Sequence, residues 1–167
     1  MTGVQTCALP IYLVAIRVLK AIGPAYAQDY ATRFGFDPAN HPAYLSMALG
    51  VGSATLMEMV TAYGVFANGG YLKKPYLIEK MVDSQGKVID QTNAMFQNEE
   101  TPRVIDPRNA FIMTTLLQDV VNKGTAVKAK ALGRSDIAGK TGTTNNQVDA
   151  WFAGFTPSQV AVAWIGF

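Results

Sequence analysis

Lys140, Thr141, Gly142 and Thr143 form one unbroken run, and their types suit one kind of chemistry. A cation offers charge to an anion, two hydroxyls offer donors, and a glycine lets a ligand approach the backbone. On an edge strand, such a set makes a binding site for a carboxylate. The plainer alternative is a solvated edge-strand lysine. In a strand, neighbouring side chains point to opposite faces, so Lys140 and Thr143 share one open face only if a twist or bulge near Gly142 brings them together.

Two rival motifs fail on spacing. A phosphate-binding loop needs four residues between its first glycine and the Gly-Lys-Thr, followed by a helix. Five residues separate Gly133 from Gly139, and Gly142 and an Asn-rich turn follow the lysine. Gly50-Val51-Gly52 is not a dinucleotide fingerprint, because Thr55 stands where the third glycine belongs. His41 is the only histidine and Cys7 the only cysteine, so a zinc site is not expected. His41, beside Pro42 in a connector, reads as a surface loop residue.

The elements that must hold the Lys140 run are legible from pattern. Leu13, Ile16, Leu19 and Ala21 or Ile22 recur close to helical spacing from Tyr12 to Ile22. Gly23-Pro24 breaks that helix, and a second runs through Tyr26, Tyr30 and Phe34 to a left-handed cap at Gly35. Asp37 to Pro42 is a turn-rich connector. Thr55-Leu56-Met57-Glu58 fits a capping box, opening a helix that should bury Leu56, Met59, Val60, Tyr63 and Phe66 and end at Asn68-Gly69-Gly70. Tyr76 to Asp83 and Lys87 to Gln91 read as a hairpin across Asp83-Ser84-Gln85-Gly86. Residues 92 to 103 read as a polar loop. Asp106-Pro107 caps a helix with Phe111, Met113, Leu116, Leu117, Val120 and Val121 on its apolar face, closed by Gly124. Three strands follow, at about 136 to 144, 149 to 156 and 159 to 167, the last two joined at Thr156-Pro157-Ser158. Trp151 and Phe152 belong to the sheet core.

With 167 residues, 49% of them apolar and 16% charged, the chain can bury one core and is not disordered. A net charge of +2 points to neither nucleic acid nor an anionic membrane as partner. No apolar run is long enough to span a bilayer.

Three stretches together carry a resemblance: Gly124-Thr125-Ala126, then Ala138-Gly139-Lys140-Thr141-Gly142-Thr143-Thr144, then Asp149-Ala150-Trp151-Phe152-Ala153-Gly154-Phe155-Thr156-Pro157. They resemble the transpeptidase domain of class A penicillin-binding proteins, whose signature includes Lys-Thr-Gly. Tyr30 to Asp37, Ala48 to Ser53 and Ala62-Tyr63-Gly64-Val65-Phe66-Ala67-Asn68-Gly69-Gly70 resemble the 1A type. The resemblance covers residues 12 to 167. It implies an α+β fold of the serine β-lactamase-like kind, with an antiparallel sheet flanked by helices, present here in part. It implies a peptidoglycan D,D-transpeptidase working through an acyl-serine, with stem peptides and β-lactams as ligands and no cofactor. It also implies a bifunctional parent with a glycosyltransferase domain and a membrane anchor, on the periplasmic side of the bacterial inner membrane.

By the same resemblance, Lys140 offers charge to a peptide or β-lactam carboxylate. The Thr141 and Thr143 hydroxyls bind that carboxylate or orient the hydroxyl of a Ser-x-Asn motif. Gly142 keeps the strand face clear, and the Thr143 backbone N–H is one of two oxyanion-hole donors. The family's nucleophile and base lie in Ser-x-x-Lys at a helix start. The only such spacing here is Ser84 to Lys87, in a predicted hairpin turn and in the wrong order, so nucleophile and base are read as absent from the chain. The chain alone is therefore expected to be inactive. A non-catalytic binding or inert module, and a D,D-carboxypeptidase or β-lactamase of the same fold, are the alternatives. The Phe66 to Gly70 context favours the transpeptidase.

The chain's ends carry their own signal. Residues 1 to 11 resemble the translation of a common short-read sequencing adapter, with GTG read as Met1, and are expected to be foreign to the fold. The junction codon at Tyr12 would then hold one adapter base and two genomic ones, encoding Asn, Asp, His or Tyr before the break. The family has Ser-x-Asn immediately before a Leu-Val run, and Leu13-Val14 follow here, so Tyr12 is read as the remnant of that Asn. Residues 12 to 167 are then the C-terminal part of a transpeptidase domain, ending inside an apolar strand as a truncated read would.

Overall fold

Helix α1, Tyr12–Ile22, stops at Gly23, whose φ of 90° suits glycine, and Pro24 opens α2, Pro24–Thr32. The computed structural model describes residues 12–91, 101–144 and 148–166. The expectations for residues 1 to 11 and for most of the 92 to 103 loop lie outside these. Asp37 accepts a hydrogen bond from Ala39 N–H and caps a short 3-10 turn, Pro38–Asn40; a second, Leu45–Leu49, follows.

Helix α3, Leu56–Ala67, begins with the predicted capping box. Thr55 Oγ1 accepts from Glu58 N–H at 3.1 Å, and the Glu58 carboxylate accepts from Thr55 N–H at 2.7 Å. Of its expected inward residues, Tyr63 and Phe66 pack into the core clusters, but the most enclosed positions lie beside them. Ala62 and Val65 are the enclosed residues, whereas Leu56 is 44% exposed. The apolar sequence of this helix runs nearly all round, so its pattern could not say which stripe meets the core.

Strands β1, Lys80–Val82, and β2, Val88–Gln91, form the predicted hairpin, although β1 starts at Lys80 rather than Tyr76. Asp83 Oδ1 accepts from the N–H groups of Gln85 and Lys87, so the turn containing Ser84 is accounted for by local chemistry. Helix α4, Pro107–Lys123, starts at Asp106, which accepts from Arg108 N–H at 2.8 Å. It buries Ala110, Leu117, Val120 and Val121, while Phe111, expected inside, is 73% exposed.

Strands β3, Ala138–Thr143, β4, Asp149–Thr156, and β5, Gln159–Gly166, make an antiparallel sheet in the order β3-β4-β5. Thr156 pairs with Gln159 across Pro157-Ser158. Two clusters join helices to this sheet. Leu117, Ala138 and Phe155 pack with Tyr63 and Phe66; Val120, Val121, Ala126 and Ile137 pack with Phe152. A third holds α2 and α3 to the start of α4 through Val65, Ile105, Ala110 and Phe34. The fold is α+β, as expected. His41 corrects an expectation: its ring is half-buried, edge-on to Phe36 at 5.0 Å and packed where a side chain at residue 52 would stand.

Candidate functional site

The site is built on β3, which among the described residues has a partner on one side only. Its register with β4 runs without a shift from Ala138↔Phe155 to Thr143↔Ala150. No bulge forms at Gly142, which corrects the expectation of one. Residues directly opposite share a sheet face, so Lys140 and Gly142 lie on the face of Trp151, and Thr141 and Thr143 lie on the face of Phe152.

Hydrogen-bond alternation then decides what faces the open edge. Thr144 N–H donates to Asp149 C=O at 3.0 Å, just past the strand's end. In an antiparallel ladder, residues paired by hydrogen bonds alternate with residues whose polar groups point away. Gly142 and Lys140 therefore bond to β4, whereas the N–H and C=O of Thr143 and Thr141 point to the open edge. Lys140 reaches that edge by another route. Its stem carries the amine round to the Thr141 C=O, to which it donates at 2.7 Å. A lysine long enough to curl over the edge makes a bulge unnecessary.

Gly142 sits across from Trp151, and a Cβ there would stand 3.3 Å from Trp151 Cβ. The strand end is tied down by Asp149. Its N–H donates to Thr144 Oγ1 at 2.8 Å, and its carboxylate accepts from Trp164 Nε1 at 2.8 Å, linking β3, β4 and β5. Trp151 and Trp164 pack at 5.9 Å on the Gly142 face.

A residue given no role by sequence stands at this edge. Thr125 Oγ1 lies 2.7 Å from Thr141 Oγ1. Its only sequence signal is membership of Gly124-Thr125-Ala126, one of the stretches that carry the resemblance. Tyr12 is placed at the start of α1, 61% exposed, and α1 packs on α2 and the Leu45–Leu49 turn. Ser84 lies in the β1–β2 turn, in a different sheet from Lys140.

Comparison with known proteins gives the family and the fold. The family described as the penicillin binding protein transpeptidase domain matches residues 11–165. Penicillin-binding protein 1A of Neisseria lactamica is 54% identical over 155 residues, which is 93% of this chain and 19% of that protein. The solved structure of penicillin-binding protein 1A from Haemophilus influenzae superposes with a TM-score of 0.91 at 33% identity, covering 98% of this chain and 29% of that one. Penicillin-binding protein A from M. tuberculosis, solved as a penicillin G acyl-enzyme complex, shares the fold with a TM-score of 0.65 at 24% identity, over 96% of this chain and 40% of that one. The chain thus spans about a fifth of the length of the curated relative, 19%.

Proposed function

The chain belongs to the penicillin-binding protein transpeptidase family, and from that membership we propose that it is the β3-edge half of a peptidoglycan D,D-transpeptidase. The observation that carries the reading is the open edge of β3. There the Lys140 amine, the Thr141 carbonyl and the Thr143 N–H face one way on a regular strand.

In the reaction, a serine oxygen attacks the carbonyl carbon of the penultimate D-alanine of a stem peptide. The carbonyl oxygen becomes an oxyanion, and the Thr143 N–H stabilises it. The terminal D-alanine leaves as its amine takes a proton, and an acyl-serine remains. An amine on a neighbouring strand then displaces the serine, which recovers its proton. Lys140 and the hydroxyls of Thr141 and Thr143 bind the terminal carboxylate, which sets the peptide antiparallel along β3. A β-lactam carboxylate takes the same place. Gly142, without a side chain, leaves the strand surface clear for the ligand backbone.

The serine and its lysine base come from a Ser-x-x-Lys upstream of the residues present, and Tyr12 stands for the Asn of Ser-x-Asn. On this reading residues 1 to 11 are translated sequencing adapter rather than the protein's own sequence. The whole protein is bifunctional, with a glycosyltransferase domain, and is anchored on the periplasmic side of the inner membrane. Among the described residues, no helix is long and apolar enough to cross a membrane.

The test is gel fluorescence with a fluorescent penicillin. The 167-residue chain should take no stable label. The same segment in a full-length protein restored through Ser-x-x-Lys should label stoichiometrically. Acylation without an activated nucleophile is slower by several orders of magnitude. Labelling of the short chain, abolished by Ser84→Ala, overturns the reading.

A further inference from the structure

The turn after α4 packs on the Phe152 face of the sheet, the face that also carries Thr141 and Thr143. Two backbone bonds pin it: the N–H groups of Gly124 and Ala126 both donate to Val120 C=O, at 3.0 and 3.2 Å. Ala126 is buried with Val120, Val121 and Ile137. Thr125, between these anchored neighbours, is left exposed with its hydroxyl 2.7 Å from that of Thr141. We propose that Thr125 is a positioning residue for the carboxylate site: it donates its proton to Thr141, so that Thr141 donates its own to the ligand carboxylate. The inference rests on the function proposed above.

The direction follows from counting protons. A hydroxyl has one proton and two lone pairs. Either threonine can donate to the other in the absence of a ligand. A carboxylate only accepts, so binding one takes Thr141's single proton. The Thr125–Thr141 bond can then persist only with Thr125 as donor. A donor behind a donor strengthens the bond in front of it. The ordering also restricts the Thr141 rotor to the setting that faces the ligand. Thr125 acts through Thr141, and its effect belongs to the anionic ligand, because hydrogen bonds to charged groups are the stronger ones.

The experiment uses the full-length protein carrying this segment, with Thr125→Val, which keeps shape and removes the hydroxyl, and Thr125→Ser, which keeps the hydroxyl. Second-order acylation rates are measured with a fluorescent penicillin and with its methyl ester, beside melting temperatures. Thr125→Val should slow the free acid about three- to tenfold, the weight of one hydrogen bond. It should leave the ester rate and the melting temperature unchanged, and Thr125→Ser should restore the wild-type rate. If the Val variant does not fold, Thr125→Ala takes its place with the same expectation. A Val or Ala variant equal to wild type with the free acid overturns the role, as does an equal loss with acid and ester. Wild-type protein that forms no adduct overturns the function itself and this role with it; wild type that labels while the variants show no carboxylate-dependent loss removes only the role.

Discussion

At the scale of single residues, the β3 edge separates two jobs that sequence spacing alone would merge. On the proposed reading Thr143 has two jobs, one for its hydroxyl and one for its backbone N–H, and strand alternation turns the N–H to the open edge. That separation is testable with proline, which removes the N–H but is tolerated in an edge strand where that N–H makes no ladder bond. In the full-length protein, Thr143→Pro should keep the fold and lower penicillin acylation about 100- to 1000-fold, the usual weight of an oxyanion donor. Thr143→Val removes only the hydroxyl and should cost far less. The measurement is the acylation rate of both variants, with circular dichroism as the control for folding. A Pro variant as fast as the Val variant would remove the backbone donor from the site.

At the scale of elements, capping chemistry decides where α3 and α4 begin. The reciprocal bonds between Thr55 and Glu58 hold the first turn of α3, and both the backbone and side-chain bonds from Thr55 lower the Glu58 pKa. Thr55→Ala should destabilise the fold by about 0.5–2 kcal/mol in urea unfolding. For α4, the Arg108 side chain and then its backbone N–H hold the Asp106 carboxyl down at about 2, against an ordinary 3.8. A carboxyl depressed on folding contributes stability that is present above its unfolded value and lost as pH falls through its folded one. Wild type should therefore be more stable than Asp106→Asn at neutral pH, with the difference closing between about pH 4 and pH 2. Asparagine still caps the helix, so the comparison isolates the charge. A difference that stays constant across that window would show that the charge has no part.

At the scale of the molecule, the three clusters leave much apolar surface uncovered. Phe111, Ile112, Tyr26 and Leu132 are exposed, and Ile22, Tyr26, Tyr30, Phe34 and Phe66 are among the residues lining an open apolar cleft of about 310 Å³. Surface of that kind binds hydrophobic dyes and favours association in isolated protein. The enclosed core is correspondingly small. Val120, fully buried between α4 and β3, touches the cluster that carries both the Thr125 turn and Phe152. Val120→Ala should cost roughly 2 kcal/mol from two lost methyl groups and the cavity they leave. It should also lower acylation in the full-length protein by displacing the turn. A stability loss with an unchanged acylation rate would uncouple that core from the site.

Local chemistry is what the sequence determined by itself. The capping box at Thr55, the Asp106 cap, the Asp83 turn and the turn at Thr156-Pro157-Ser158 depend on neighbours within a few residues, and each is legible for that reason. The Lys140 to Thr143 run, with its flanks, was legible as family for the same cause. Which way things face depended on tertiary packing. Helix α3 is apolar nearly all round, so only contact with Tyr30, Phe34 and the start of α4 chose Val65 over Leu56 as its buried residue. Strand alternation put Lys140 and Thr143 on opposite faces, and no rule of spacing shows a lysine stem curling over an edge to reach the Thr141 carbonyl. Thr125 meets Thr141 across sixteen positions because a helix turn docks on a sheet, a long-range contact that no local pattern encodes.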